Sequence, residues 1–141
     1  MSSMIFGVIL LVLGLILTVI GGLAWAAKLP GNGVVGIRVP EVRKSQDLWE
    51  LAHRIAGPFW TLGGIALIFG ACFSFIAQGW LWLLPVLTVL IALVAIGAGA
   101  GKAAHAVAVI DARRMIEAET GGPKPAVDMD ALRRAARASD N

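Results

Sequence analysis

The chain has 141 residues, of which 58% are apolar and only 15% charged, where a soluble domain carries about 25% charged residues. Its formal charge of +3 mixes twelve basic with nine acidic side chains, and that mixture leaves no basic stripe for nucleic acid. Charges are absent from residues 1–27 and again from residues 55–101, which excludes a water-soluble fold.

A helix needs roughly 20 apolar residues to cross the ~30 Å hydrocarbon layer. The first charge-free stretch holds one such helix, at about residues 4–27. No Lys or Arg precedes it, and it outlasts the signal-peptide core of about 7–15 residues, so it reads as a retained span. The second stretch holds two spans, at about 58–77 and 81–101, parted by the polar, glycine-bearing Gln78-Gly79-Trp80. The fold class is therefore an all-α integral membrane protein with three transmembrane helices. Trp25 and Trp60 fall at one predicted boundary and Trp80 and Trp82 at the other, the headgroup level that tryptophan prefers. Cys72 sits mid-span, with no second cysteine for a disulfide, and reads as inert packing.

Gly7, Gly14 and Gly21 recur every seven residues, as do Gly57 and Gly64, and Gly63 and Gly70; Gly97-x-x-x-Gly101 closes the third span. In lipid, close backbone approach at small residues draws helices together. These seams predict packing within the chain first, and a homo-oligomer second.

The connection of residues 28–57 is the most informative region. Pro30-Gly31-Asn32-Gly33 is dense in turn formers, and residues 34–39 read as extended because Pro40 disfavours helix before it. Ser45 has the character of an N-cap, with Asp47 in the first turn that follows. The helix from about residue 46 to 56 carries Leu48, Leu51, Ala52 and Ile55 on one face and a helix-spaced Glu50/Arg54 pair. Gly57-Pro58 should bend it into the second span, making it an interfacial amphipathic helix between spans 1 and 2. Past the third span, residues 102–120 lack Gly and Pro and predict a helical cytoplasmic extension, which Gly121-Gly122-Pro123 stops. Residues 1–120 then form the membrane domain and 121–141 a polar tail, either frayed or a short basic helix touching anionic lipid.

All twelve basic residues lie in the first connection or after the third span, and none in the amino-terminal segment or at the Gln78 hairpin. The positive-inside rule then puts the amino terminus outside and the carboxyl terminus in the cytoplasm.

Within the connection, Asn32, Gly36-Ile37-Arg38-x-Pro40, Ser45-x-x-x-Trp49 and His53-Arg54-x-x-Gly57, joined directly to a span, resemble the SdpI family of small bacterial membrane proteins. The likeness covers roughly residues 28–64 and the hydropathy of the flanking spans. Val39 stands where that family usually has Thr, and Glu41 where an aromatic or basic residue is common. The family's best-known member protects a toxin-producing bacterium from its own secreted antimicrobial peptide, and holds a transcriptional repressor at the membrane once the toxin is sensed. The resemblance implies a protein of the bacterial cytoplasmic membrane, of immunity or signal-sensing type, that binds a peptide or regulatory protein and catalyses nothing.

The candidate interaction residues are Asn32, Gly36, Arg38, Pro40, Ser45, Trp49, His53 and Arg54. The planar head of Arg38 suits a carboxylate, a phosphate or a set of carbonyls. It either meets a partner or pins the loop to its own helix through Glu41, Asp47 or Glu50. Trp49 is an anchor for a partner or a residue buried in the leaflet. His53 and the isolated His105 read as surface residues, His53 with a pH-responsive contact as the functional alternative. No Ser/His/Asp grouping, metal-spaced His/Cys cluster or phosphate-cradling loop appears, so no catalytic residue, metal or cofactor is expected. The spans contain no acidic residue, which counts against an ion path. An accessory or structural subunit of a larger membrane complex is the alternative reading.

Overall fold

A computed structural model describes residues 2–31 and 34–121. They form α1 (Ser2–Trp25), α2 (Gln46–Ile76), a 3-10 turn (Gly79–Trp82) and α3 (Leu83–Glu119), with no strand among the described residues. Three helices are long and apolar enough to cross a membrane, as the charge-free stretches predict. Asn32 and the tail from residue 122 on lie outside the described residues.

The contacts of the glycines fix the packing. A Cβ on Gly7 would lie 2.8 Å from the Phe75 ring, one on Gly14 2.9 Å from the Gly64 carbonyl, and one on Gly21 2.5 Å from the Thr61 nitrogen. From the other side, Gly57 abuts the backbone of Trp25 and Gly64 that of Thr18. The order of these pairs makes α1 and α2 antiparallel. On α2, Gly63 faces the Ala92 carbonyl and Gly70 the Thr88 hydroxyl, and Phe59 covers Gly99, so α3 runs antiparallel to α2. Leu10, Leu67, Ala71 and Ala92 close the core where the three helices meet. The seven-residue glycine seam is thus used within the chain.

Large apolar side chains instead point outward: Ile5, Val12 and Val19 on α1, Leu62 and Phe69 on α2, Leu87 and Val94 on α3. A water-soluble protein with such a surface would aggregate. Lipid tails are as apolar as leucine, so only the small residues gain by facing another helix. The hydroxyls in these helices bond back to their own backbone, Thr18 to the Gly14 carbonyl (2.7 Å), Thr61 to Gly57 (2.9 Å) and Ser74 to Gly70 (2.8 Å). These three donors are thereby satisfied within their own helices.

Three features depart from the sequence reading. The interfacial helix is not a separate element, because α2 continues through Pro58. Proline removes a single bond, that to the Arg54 carbonyl, and Gly57 beside it docks on α1. With 31 residues, α2 is about 46 Å long, longer than the hydrocarbon layer. Its first third, with Asp47, Glu50 and Arg54, therefore stands outside the charge-free span. Trp60 is buried within the protein, whereas Trp25 and Trp80 are exposed. Cys72 is exposed on the outward face.

Residues up to Val109 make one compact unit, and a second begins at Ile110. In the second unit, residues 112–121 are exposed and α3 ends at Glu119.

Candidate functional site

The connection between α1 and α2 leaves the first helix earlier than its proline and glycines suggest. Ala27 takes a left-handed backbone (φ 54°), the Lys28 N–H donates to the Leu23 carbonyl (2.8 Å) and the Ala27 N–H to the Ala24 carbonyl (3.1 Å). This paired closure usually uses glycine, which is why the sequence hides it. Farther on, Pro40 occupies the second position of a turn in which the Val42 N–H donates to the Val39 carbonyl (3.1 Å), the place that proline's fixed φ favours. Two more such bonds follow, Arg43 to Pro40 and Lys44 to Glu41. They tuck Val42 fully inside and deliver the chain to Ser45. The Ser45 hydroxyl accepts the Leu48 N–H (3.3 Å), so it caps α2 as predicted.

From that cap, Trp49, His53 and Trp60 project from one side of α2, at helical offsets of about 0°, 40° and 20°. The Trp49 and His53 rings stack 4.0 Å apart, and Trp60 meets His53 edge-on at 5.8 Å. Trp49 Nε1–H donates to the Leu29 carbonyl (3.0 Å), and the Ile37 N–H donates to His53 Nε2 (3.0 Å). The two aromatic residues thus hold the connection near its start, at Leu29, and in its middle, at Ile37.

The bond from Ile37 settles the form of the imidazole. Nε2 accepts a hydrogen bond, so it carries no proton; the proton sits on Nδ1 and goes to the Trp49 carbonyl, 2.7 Å away. His53 is 1% exposed, not the surface residue that the sequence suggests. Desolvation pushes its pKa below the ordinary value of 6.5, against a smaller upward pull from the Trp49 carbonyl. Gly36 makes the close seat possible. Its φ is +124°, and a Cβ there would run into His53 Nε2 and lie 2.8 Å from the Trp49 ring.

Arg38 follows directly on this latch and is exposed. Its side chain makes no hydrogen bond or ion pair with any described residue, so neither Glu41, Asp47 nor Glu50 holds it, and the loop is pinned by Ile37 instead. Arg54 is likewise exposed; Glu50 accepts a bond from Gln46 Nε2 (2.9 Å) rather than pairing with Arg54. A shallow depression of about 520 Å³ opens beside Trp49, lined also by Arg43, Ser45 and Gln46. Among the described residues no three His, Cys, Asp or Glu side chains come together as metal ligands would. Of the predicted residues, then, Gly36, Pro40, Ser45, Trp49 and His53 build the loop, while Arg38 and Arg54 lie on its surface. Ile37, Val42 and Trp60 also belong to the site and are not among the candidate residues read from the sequence, although the spacing of Trp60 from Trp49 and His53 is a readable signal.

Three apolar helices joined by a short connection and a 3-10 turn define a multi-pass membrane protein. The family model of the SdpI/YfhL protein family matches residues 28–99, just over half of the chain, taking in the whole braced connection and α2. The chain belongs to the SdpI/YfhL protein family, which is not an enzyme family. No curated protein and no solved structure gives a significant match.

Proposed function

We propose that the chain is an immunity or signal-sensing protein of the SdpI type, which works by binding a peptide or a protein at the connection between α1 and α2. The supporting observation is Arg38, an exposed guanidinium with no described partner, on a backbone braced one residue earlier by the Ile37–His53 bond. A braced, unpaired arginine loses little freedom on clamping a carboxylate or a row of carbonyls, and a charge-assisted bond of this kind contributes about 1.5–3 kcal/mol. In this reading the connection and the tail face the cytoplasm, by the distribution of basic residues.

In cells lacking the gene and exposed to the secreted antimicrobial peptides of the producing strain, the wild-type chain is expected to restore growth. Arg38→Ala is expected to raise sensitivity by about tenfold or more at unchanged protein level, and Arg38→Lys to rescue in part. Equal protection by Arg38→Ala removes the reading.

A second reading, an accessory subunit of a larger membrane complex, has its own observation. Gly97 and Gly101 have open space beside them, a small-residue face on which another helix could settle. Recovery in mild detergent with a stoichiometric partner, from cells making no toxin, would favour it.

A further inference from the structure

We propose that His53 is an acid-sensitive latch, whose protonation breaks the bond from Ile37 and detaches the loop carrying Arg38 from α2. The geometry goes beyond a buried histidine. Both ring nitrogens are engaged, and in opposite senses: Nε2 accepts from Ile37 and Nδ1 donates to Trp49. An imidazolium has a proton on each nitrogen. Its new Nε2–H would point at the Ile37 N–H, donor against donor, in a seat with no room for adjustment. Gly36 already lies against Nε2 without a Cβ, and the rings of Trp49 and Trp60 close two further sides.

Release is the escape. The segment from Val34 to Arg38 contains no strand, and the Ile37 N–H bond is its hydrogen bond to the His53 ring. Val34 and Arg38 are already exposed. Swinging the segment out opens water to Nε2 and satisfies the charge.

The surrounding charges do not rescue the protonated form in place. The loop brings Arg38, and α2 brings Arg54 and a Glu50 that is occupied by Gln46. The α1 helix carries no charge at all, and α3 offers Lys102, which lies over the Phe59 ring at 5.0 Å. Two contributions favour the cation in place, the Trp49 carbonyl that already takes the Nδ1 proton and stacking of the cation on the Trp49 ring. They compete with desolvation of the buried ring, which outweighs the pull of the Trp49 carbonyl, and with the loss of the Ile37 bond.

The direction of the pH effect follows. In the seated loop His53 binds its proton below the ordinary 6.5, while in the released loop water reaches the ring and it binds its proton more readily. The released state therefore takes up more protons, and the seated state loses stability as pH falls below 6.5. Above that pH the pH-dependent part of its stability is fully present. This property belongs to the loop itself, whether or not Arg38 meets a partner.

The test is hydrogen exchange on the full chain in lipid nanodiscs, corrected for the intrinsic rate, between about pH 8 and about pH 5. Protection of the peptide containing Ile37 is expected to fall about tenfold or more on acidification, while that of residues 60–75 stays constant. His53→Gln keeps an acceptor near the Nε2 position and cannot titrate, so it is expected to abolish the pH response. Should that variant not fold, the ring nitrogen shifts of His53 in the wild type replace it, and they are expected to titrate together with the loss of protection. Protection independent of pH in the wild type, the same pH response in His53→Gln, or ring shifts that do not follow the exchange would each overturn the latch.

Discussion

Gly21→Leu is expected to separate α1 from α2, whereas Gly22→Leu, one residue along, is expected to be harmless. A Cβ at Gly21 would meet the Thr61 nitrogen at 2.5 Å and the Trp60 carbonyl carbon at 2.9 Å, while at Gly22 nothing lies within 4 Å. The obstacle at Gly21 is backbone, which cannot rotate aside as a flexible side chain does. Overpacking commonly costs about 1–3 kcal/mol, and four extra carbons against a backbone go beyond that range. Water would return part of the loss by the hydrophobic effect, but lipid tails solvate the separated faces as well as a partner helix does. Denaturant titration of the purified variants in detergent checks the pair. Gly21→Leu should unfold at a much lower denaturant concentration than Gly22→Leu, and equal midpoints would contradict the seam.

Gly36→Ala carries the second large effect, confined to the connection. A residue with a side chain held at φ +124° stores about 1–3 kcal/mol of backbone strain. The added methyl also drives into His53 Nε2 and the Trp49 ring. The loop is expected to leave its seat at every pH, so that exchange at Ile37 becomes fast and the Trp49 emission shifts to the red. Gly31→Ala is the control. Its nearest neighbour would be Gln46 Oε1 at 3.6 Å, an ordinary contact, and it should change stability by less than about 0.5 kcal/mol.

The spans were readable from the sequence because charge exclusion over twenty residues has a single physical meaning. The Ser45 cap was readable too, since a hydroxyl before an amphipathic run has few other uses. The seven-residue glycines pointed to a seam and left its partner open, because spacing describes one helix only; α2 supplies the other side. The candidate site was legible as a set of residues but not as an arrangement. His53 next to Arg54 looked solvent-exposed, as a polar pair usually is, yet the two diverge by about 100° around the helix, one inward and the other outward. Arg38 seemed a plausible pin for the loop, and the pin is instead the neighbouring backbone amide of Ile37, a group that no motif records. Pro58 signalled a break between two elements. A single missing N–H does not suffice to end a helix whose next-door Gly57 is docked on α1.

Cysteine accessibility in oriented vesicles, in a Cys72→Ala background, tests the braced connection and its orientation together. Arg38→Cys is expected to react with a membrane-impermeant maleimide in inside-out vesicles and to stay unlabelled in right-side-out ones, while Ile37→Cys resists labelling in both. Labelling of Arg38→Cys from outside, or of Ile37→Cys as fast as Arg38→Cys, would contradict an arginine held out to the cytosol on a latched loop.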